Sequence, residues 1–193
     1  MGKSGIKLLS LAILSSCLFS CSNESDPNAE TARRAELLKD PEGVKPTKPD
    51  LLATVPFKKL PVTDSTSFDN FNGEDKLSDK LVSKLHLKSL DPNFKNFHSR
   101  YRIALSTTVD MMVVTASAEH EMKTFLISYS KEDYQLIDKL QIAYDEIAES
   151  AYSAIGKISK EEVVVTNYNY MGEEPVIEVK KYRIEPSGKF TQK

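Results

Sequence analysis

Asp145, Glu146 and Glu149 form the densest group of chemistry-bearing side chains in this 193-residue sequence. They close a run, Leu140 to Tyr144, whose β-branched and aromatic content reads as a strand. Carboxylates gathered at a strand end can ligate a hard cation such as calcium, or face a basic loop of a partner protein. Calcium takes about six oxygens or more, and the spacing identifies no fourth or fifth ligand. A solvated acidic loop packed over Ile147 is the alternative. Phe68-Asp-Asn-Phe-Asn-Gly-Glu-Asp75 has the flavour of a calcium loop, but the place five residues before Gly73 holds Phe68 instead of an acid. An Asn-Gly turn is the expected structure there.

Nucleophilic sets are harder to assemble. His86, His98 and His120 fall at no metal-ligand spacing, and Glu119-His120-Glu121 reads as a hairpin tip. Gly-x-Ser-x-Gly is missing, and Ser128-Tyr-Ser-Lys131 matches Ser-x-x-Lys only by its letters, at the end of a strand. Catalysis is therefore not expected. A hydrolase drawing on Asp145, Glu146 and His120 is the runner-up. Tyr168 and Tyr170 share one face of a strand, with Tyr144, Tyr152 and Tyr182 on neighbouring strands. Tyrosines so placed offer a protein or a sugar apolar area with a polar handle. The chain has no Trp, the preferred sugar platform.

Cys21 is the other residue with an identifiable chemistry. Lys3 and Lys7 precede a short apolar run over residues 8–19, and Ser20 places a small side chain directly before the cysteine. That order is the anatomy of a secretory signal peptide, and the run is too short for a hydrocarbon core, which needs about 20 apolar residues. Leu18-Phe19-Ser20-Cys21 resembles the lipobox of bacterial lipoproteins, with Phe19 standing where that family usually has a small residue. The resemblance implies cleavage before Cys21 and acylation of that cysteine. Two chains suit stable anchoring, because one binds a bilayer only marginally. By the same resemblance Ser22, in place of an aspartate, favours the outer membrane. Glu24 and Asp26 leave its periplasmic or surface face open.

Loss of the leader takes Lys3, Lys7 and Cys17 with it, moving the formal net charge from −2 to −4 and leaving Cys21 as the single cysteine. A disulfide partner is thereby excluded for the mature chain, and a mild acidic excess argues against nucleic acid. No cofactor motif is present; the chain has seven glycines and no phosphate-cradling loop.

The remaining sequence must position these groups. Residues 1–20 read as signal peptide and 21–54 as lipidated cysteine and flexible tether, with several prolines and a possible short helix over Asn28–Lys39. Such a tether averages about 30 Å end to end. Residues 55–193 read as one β-rich domain. Leu77, Leu81 and Leu85 predict a short amphipathic helix capped by Asp75 or Ser78. From Tyr101 the period becomes two, predicting six to eight antiparallel strands between about residues 99 and 190, joined by connections too short for a crossover helix. The fold class is mainly β, an antiparallel meander closing as a sandwich or a curled sheet, with α+β as the alternative. A shift of 51 residues lays Tyr101 on Tyr152 and Met112–Thr115 on Val163–Thr166, so two repeats are a further possibility against simple reuse of Val, Thr and Tyr. The functional expectation is a lipid-anchored envelope protein that binds a protein or a glycan without catalysis. A tethered inhibitor or immunity factor using Asp145, Glu146 and Glu149 against a basic hydrolase is its sharper form.

Overall fold

Met111-Met112-Val113-Val114 lacks alternation because both faces of its strand are covered. The computed structural model describes residues 49–147 and 151–193, so the leader, Cys21, the helix expected at Asn28–Lys39 and Glu149 lie outside it. Within strand β3 (Val109–Ser117) every residue but the last is buried. Met112, Val114 and Ala116 enter one core, while Met111 and Val113 enter a second on the opposite face.

Among the described residues nine antiparallel strands form a single sheet, eight of them in meander order. After β1 (Val62–Asp64) and helix α1 (Asp79–Lys84), the order along the sheet is β2 (Asn96–Ala104), β3, β4 (Glu121–Ser130), β5 (Leu136–Glu146), β6 (Tyr152–Ile158), β7 (Glu162–Asn169), β8 (Val176–Ile184) and β9 (Phe190–Gln192). Strand β1 pairs with β6. The first core lies between β2–β4 and a layer made of α1, the 3-10 turn Leu87–Ser89 and the entry segment around Leu52 and Val55. Ser78 caps α1, its hydroxyl accepting the Leu81 N–H; of the leucine stripe Leu77 and Leu85 are buried and Leu81 partly so, with Val82 buried beside it. The second core joins Tyr101, Val113, Leu126 and Ile142 to Ile158, Val163, Val165 and Ile184. The later strands therefore curl back over the face of the earlier ones. The segments matched by the 51-residue shift lie on β3 and β7, the second strand of each run of four.

Three register irregularities drive the curl. One leaves Arg100 as the extra residue of β2 between the pairs Ser99–Val114 and Tyr101–Val113. It moves the chain from Phe97, in the first core, to Tyr101 and Ile103, in the second. Two more fall in β5, where Ile142 and Ile137 have no partner on β4. Beyond them β5 and β6 pair only at Tyr144–Ala154, and β1 occupies the stretch of β6 from Gly156 to Ile158.

Candidate functional site

Adjacent residues of a strand project to opposite faces, and that alternation separates the acidic candidates. The Asp145 carboxylate accepts the Phe68 N–H at 2.8 Å, holding the Ser67–Asp75 segment against the sheet. The Glu146 carboxylate turns the other way, taking the Tyr144 O–H at 2.8 Å and the Tyr152 N–H at 3.2 Å. Asp145 and Glu146 do not converge on one point. The Phe68–Asp75 segment turns at Gly73, whose φ of 68° lies in the left-handed region, with the Asn70 side chain accepting the Ser67 N–H. His120 is exposed at the β3–β4 hairpin tip beside Glu119.

Where β5 and β6 begin to part, a cleft of ≈ 360 Å³ opens. The register lays Lys123, Tyr144, Ala154 and Asn167 side by side across β4, β5, β6 and β7. Glu121, Gln141, Tyr152 and Tyr168 complete the walls. Lys123 is held by Asp91 and Glu121, each at 2.9 Å. Burial works to lower its pKa, but the two carboxylates outweigh that and keep the ammonium above its usual range. Burial first, then Glu146 and Glu121, push the Tyr144 hydroxyl above the ordinary phenol range. Tyr144 thus remains a neutral donor. Its proton serves Glu146, an arrangement that fixes a polar wall.

Tyr168 and Tyr170 behave as the two-residue spacing requires. Their rings stack 6.1 Å apart at an interplanar angle of 1°, and Tyr170 is half exposed. Across the ladder Tyr168 faces Ser153 on one side and Ile177 on the other, and Thr166 faces Val179. The face that Tyr168 presents therefore continues onto β8. There it stays open: Ile177 and Val179 are 59 and 52% exposed, while Val176, on the other face, is 62% exposed and Met171 at the hairpin tip is 65% exposed.

Among the described residues, none pairs with the outer backbone edge of β8 along the same stretch. Strand β9 pairs with Tyr182, Arg183 and Ile184 alone, and the Lys193 N–H reaches the Lys181 carbonyl. In an antiparallel ladder the residues facing a given neighbour alternate. Since Lys181 faces β9 and Ile184 donates toward Glu161, Ile177 and Val179 direct their N–H and C=O groups outward. The opposite edge, β2, is covered: Arg102 donates to Pro56, and Phe97 accepts from Leu77. The sequence singles out Tyr182 of β8 but not the open stretch, because Val-Ile-Glu-Val gives no sign of which face meets solvent.

No protein-family model matches this chain, and no curated protein or solved structure matches it either.

Proposed function

We propose that this chain is a lipid-anchored protein of the bacterial envelope whose β-rich domain is a non-enzymatic binding module, and that its partner is a polypeptide docking as an added strand on β8. One observation carries the reading. The stretch Val176–Lys180 combines a backbone edge unpaired among the described residues with three aliphatic side chains more than half exposed. Natural sheets blunt such edges, since they invite pairing, and β2 is blunted by the 56–58 and 75–77 segments. Only another polypeptide supplies the alternating donors and acceptors that Ile177 and Val179 lack. Its side chains would continue the Tyr168–Ile177–Val179 face on one side and meet Glu178 and Lys180, paired at 2.9 Å, on the other.

Val179→Pro tests the edge. The Val179 N–H points away from β7, so proline removes the outward donor without breaking the β7 ladder. Partner capture should fall by about tenfold or more, while far-UV circular dichroism and melting temperature stay close to those of the parent. Undiminished capture would exclude strand addition at β8.

The anchor rests on Lys3, Lys7, the apolar run and Leu18-Phe19-Ser20-Cys21. A fatty-acid analogue fed to the cells should label the parent chain, and Cys21→Ala should carry no label. Equal labelling would overturn the anchor.

A glycan in the cleft is the second reading. Tyr144, Tyr152 and Tyr168 with the Gln141 and Asn167 amides favour it, since sugars take stacking surfaces and paired donors and acceptors. The inhibitor form of the protein reading draws on Asp145, Glu146 and Glu149 against a basic enzyme, with Glu121 opposite Glu146 on β4.

A further inference from the structure

Arg100 is the extra residue of the bulge in β2. Bulges re-aim the side chain they insert, and this one sends Arg100 to the mouth of a second pocket, ≈ 270 Å³ in volume, between β2 and the Asn70–Asn72 turn. Its guanidinium carbon lies 5.4 Å from the centre of the Phe71 ring. Across the pocket the Lys58 ammonium stands 4.1 Å over the Tyr101 ring. Aromatic faces hold both cations, and neither has a carboxylate within ion-pair distance among the described residues. Asp64, the nearby buried acid, is already occupied by the Tyr101 and Thr66 hydroxyls at 2.9 and 2.6 Å. Asp75 is the one carboxylate lining the pocket, and it is exposed.

His98 forms the floor and is 7% exposed, with an Nδ1 that has no hydrogen-bond partner. Burial first, then Lys76 and Arg100, hold its pKa below the usual imidazole value, with the Gly73 backbone and Asp75 opposing. The cations around the ring resist a further positive charge. A site that holds two cations against aromatic faces without a carboxylate partner among the described residues, with the Asn72 amide beside them, is complementary to an anion. The volume exceeds what a free oxyanion fills, leaving room for its organic substituent.

We propose that this pocket binds the phosphate group of an organophosphate between Lys58 and Arg100. Arg100 supplies paired donors in a fixed fork and Lys58 a point charge, a combination suited to phosphate oxygens. The same chemistry is offered by a phospholipid headgroup and by a soluble phosphoester. The site is independent of the β8 edge.

Proton NMR of the full chain titrated with inorganic phosphate and with glycerol phosphate tests the proposal. The His98 ring signals should shift saturably, with His86 and His120 as internal references. Arg100→Gln and Lys58→Gln should each weaken the effect about tenfold, the worth of one charge-assisted hydrogen bond. Lys181→Gln, an exposed cation on β8, should leave it unchanged. Flotation with phosphatidylglycerol vesicles, compared with phosphatidylcholine, separates the sources. Using a chain carrying Cys21→Ala, retention that depends on Lys58 and Arg100 assigns the headgroup; shifts without retention assign a soluble ligand. Absence of both, or effects equal in the parent and the Arg100 and Lys58 variants, would overturn the proposal.

Discussion

Gly156→Val is expected to destabilise the domain by at least about 3 kcal/mol, lowering its melting temperature by about 10 °C or more. A Cβ at this position would fall 2.7 Å from both the Cβ and the carbonyl oxygen of Ile142. Contacts so short cannot be relieved by turning a side chain, because one of the two atoms is backbone. Ile142 is also the residue that has no partner on β4, so the clash falls where β5 bends onto β6. Relief requires the two strands to part, opening the second core around Ile142, Ala154 and Val165. Even Gly156→Ala carries the clashing atom and should cost a large part of that amount. Gly172→Ala is the control: its nearest neighbour is the Glu174 carbonyl at 3.5 Å, an ordinary contact. Thermal unfolding of the three variants measures the difference, and a Gly156→Val melting point within 2–4 °C of the parent, about 1 kcal/mol, would contradict the close approach.

Arg102→Met should cost about 2–3 kcal/mol and release the segment by which the chain enters the domain. The Arg102 side chain is 7% exposed; it pairs with Asp50 at 2.8 Å, donates through Nε to the Val55 carbonyl at 3.1 Å and lies 4.2 Å from the centre of the Phe57 ring. Methionine keeps much of the volume and none of the donors, leaving a buried carbonyl and a carboxylate without their partner. Proteolysis should then begin among residues 50–57 before it touches the sheet. Acid should imitate part of the substitution. Burial raises the Asp50 pKa, but the Leu52 N–H and Arg102 outweigh it, and the group ends below its usual value of 3.8. A carboxylate depressed on folding stabilises fully above that value and loses the contribution as pH falls through its folded-state pKa. Limited proteolysis between neutral pH and about pH 3 reads this directly, and an entry segment equally resistant in Arg102→Met and the parent would contradict the clamp.

These two positions also show why sequence reached one part of the fold and missed another. Alternation of Tyr101, Ile103 and Leu105, and the β-branched content of Val176–Ile184, sufficed for a mainly antiparallel β meander. The spacing of Leu77, Leu81 and Leu85 likewise marked the side of α1 and its flanks that meets the first core, with Leu81 partly buried. Bulges left no such trace. Arg100 and Ile142 look like any strand residue, and their effect is a change of phase that appears only once the partner strand is known. The same limit governed the candidate site. Asp145 and Glu146 are neighbours in sequence, but a strand sends them to opposite faces, so proximity along the chain did not become proximity in space. Tyr168 and Tyr170, two residues apart, share a face and stack. Glu121, Lys123 and Asn167 join Tyr144 only through register, which long-range pairing sets.

Strand addition at β8 makes a positional claim, and cross-linking reads it most directly. A photo-reactive residue is placed in turn at each position from 176 to 180, and separately at Tyr152, in the full chain, irradiated in cells, and the attachment point in the captured protein is mapped. The account predicts attachment from all five positions, to sites that move along a single extended segment of the partner one residue at a time, alternating between its two faces. Val179→Pro should erase the series. Attachment from 177 and 179 alone would mean a partner lying flat on the Tyr168 face, and attachment only from Tyr152 in the cleft would place recognition there; either result contradicts pairing through the open edge.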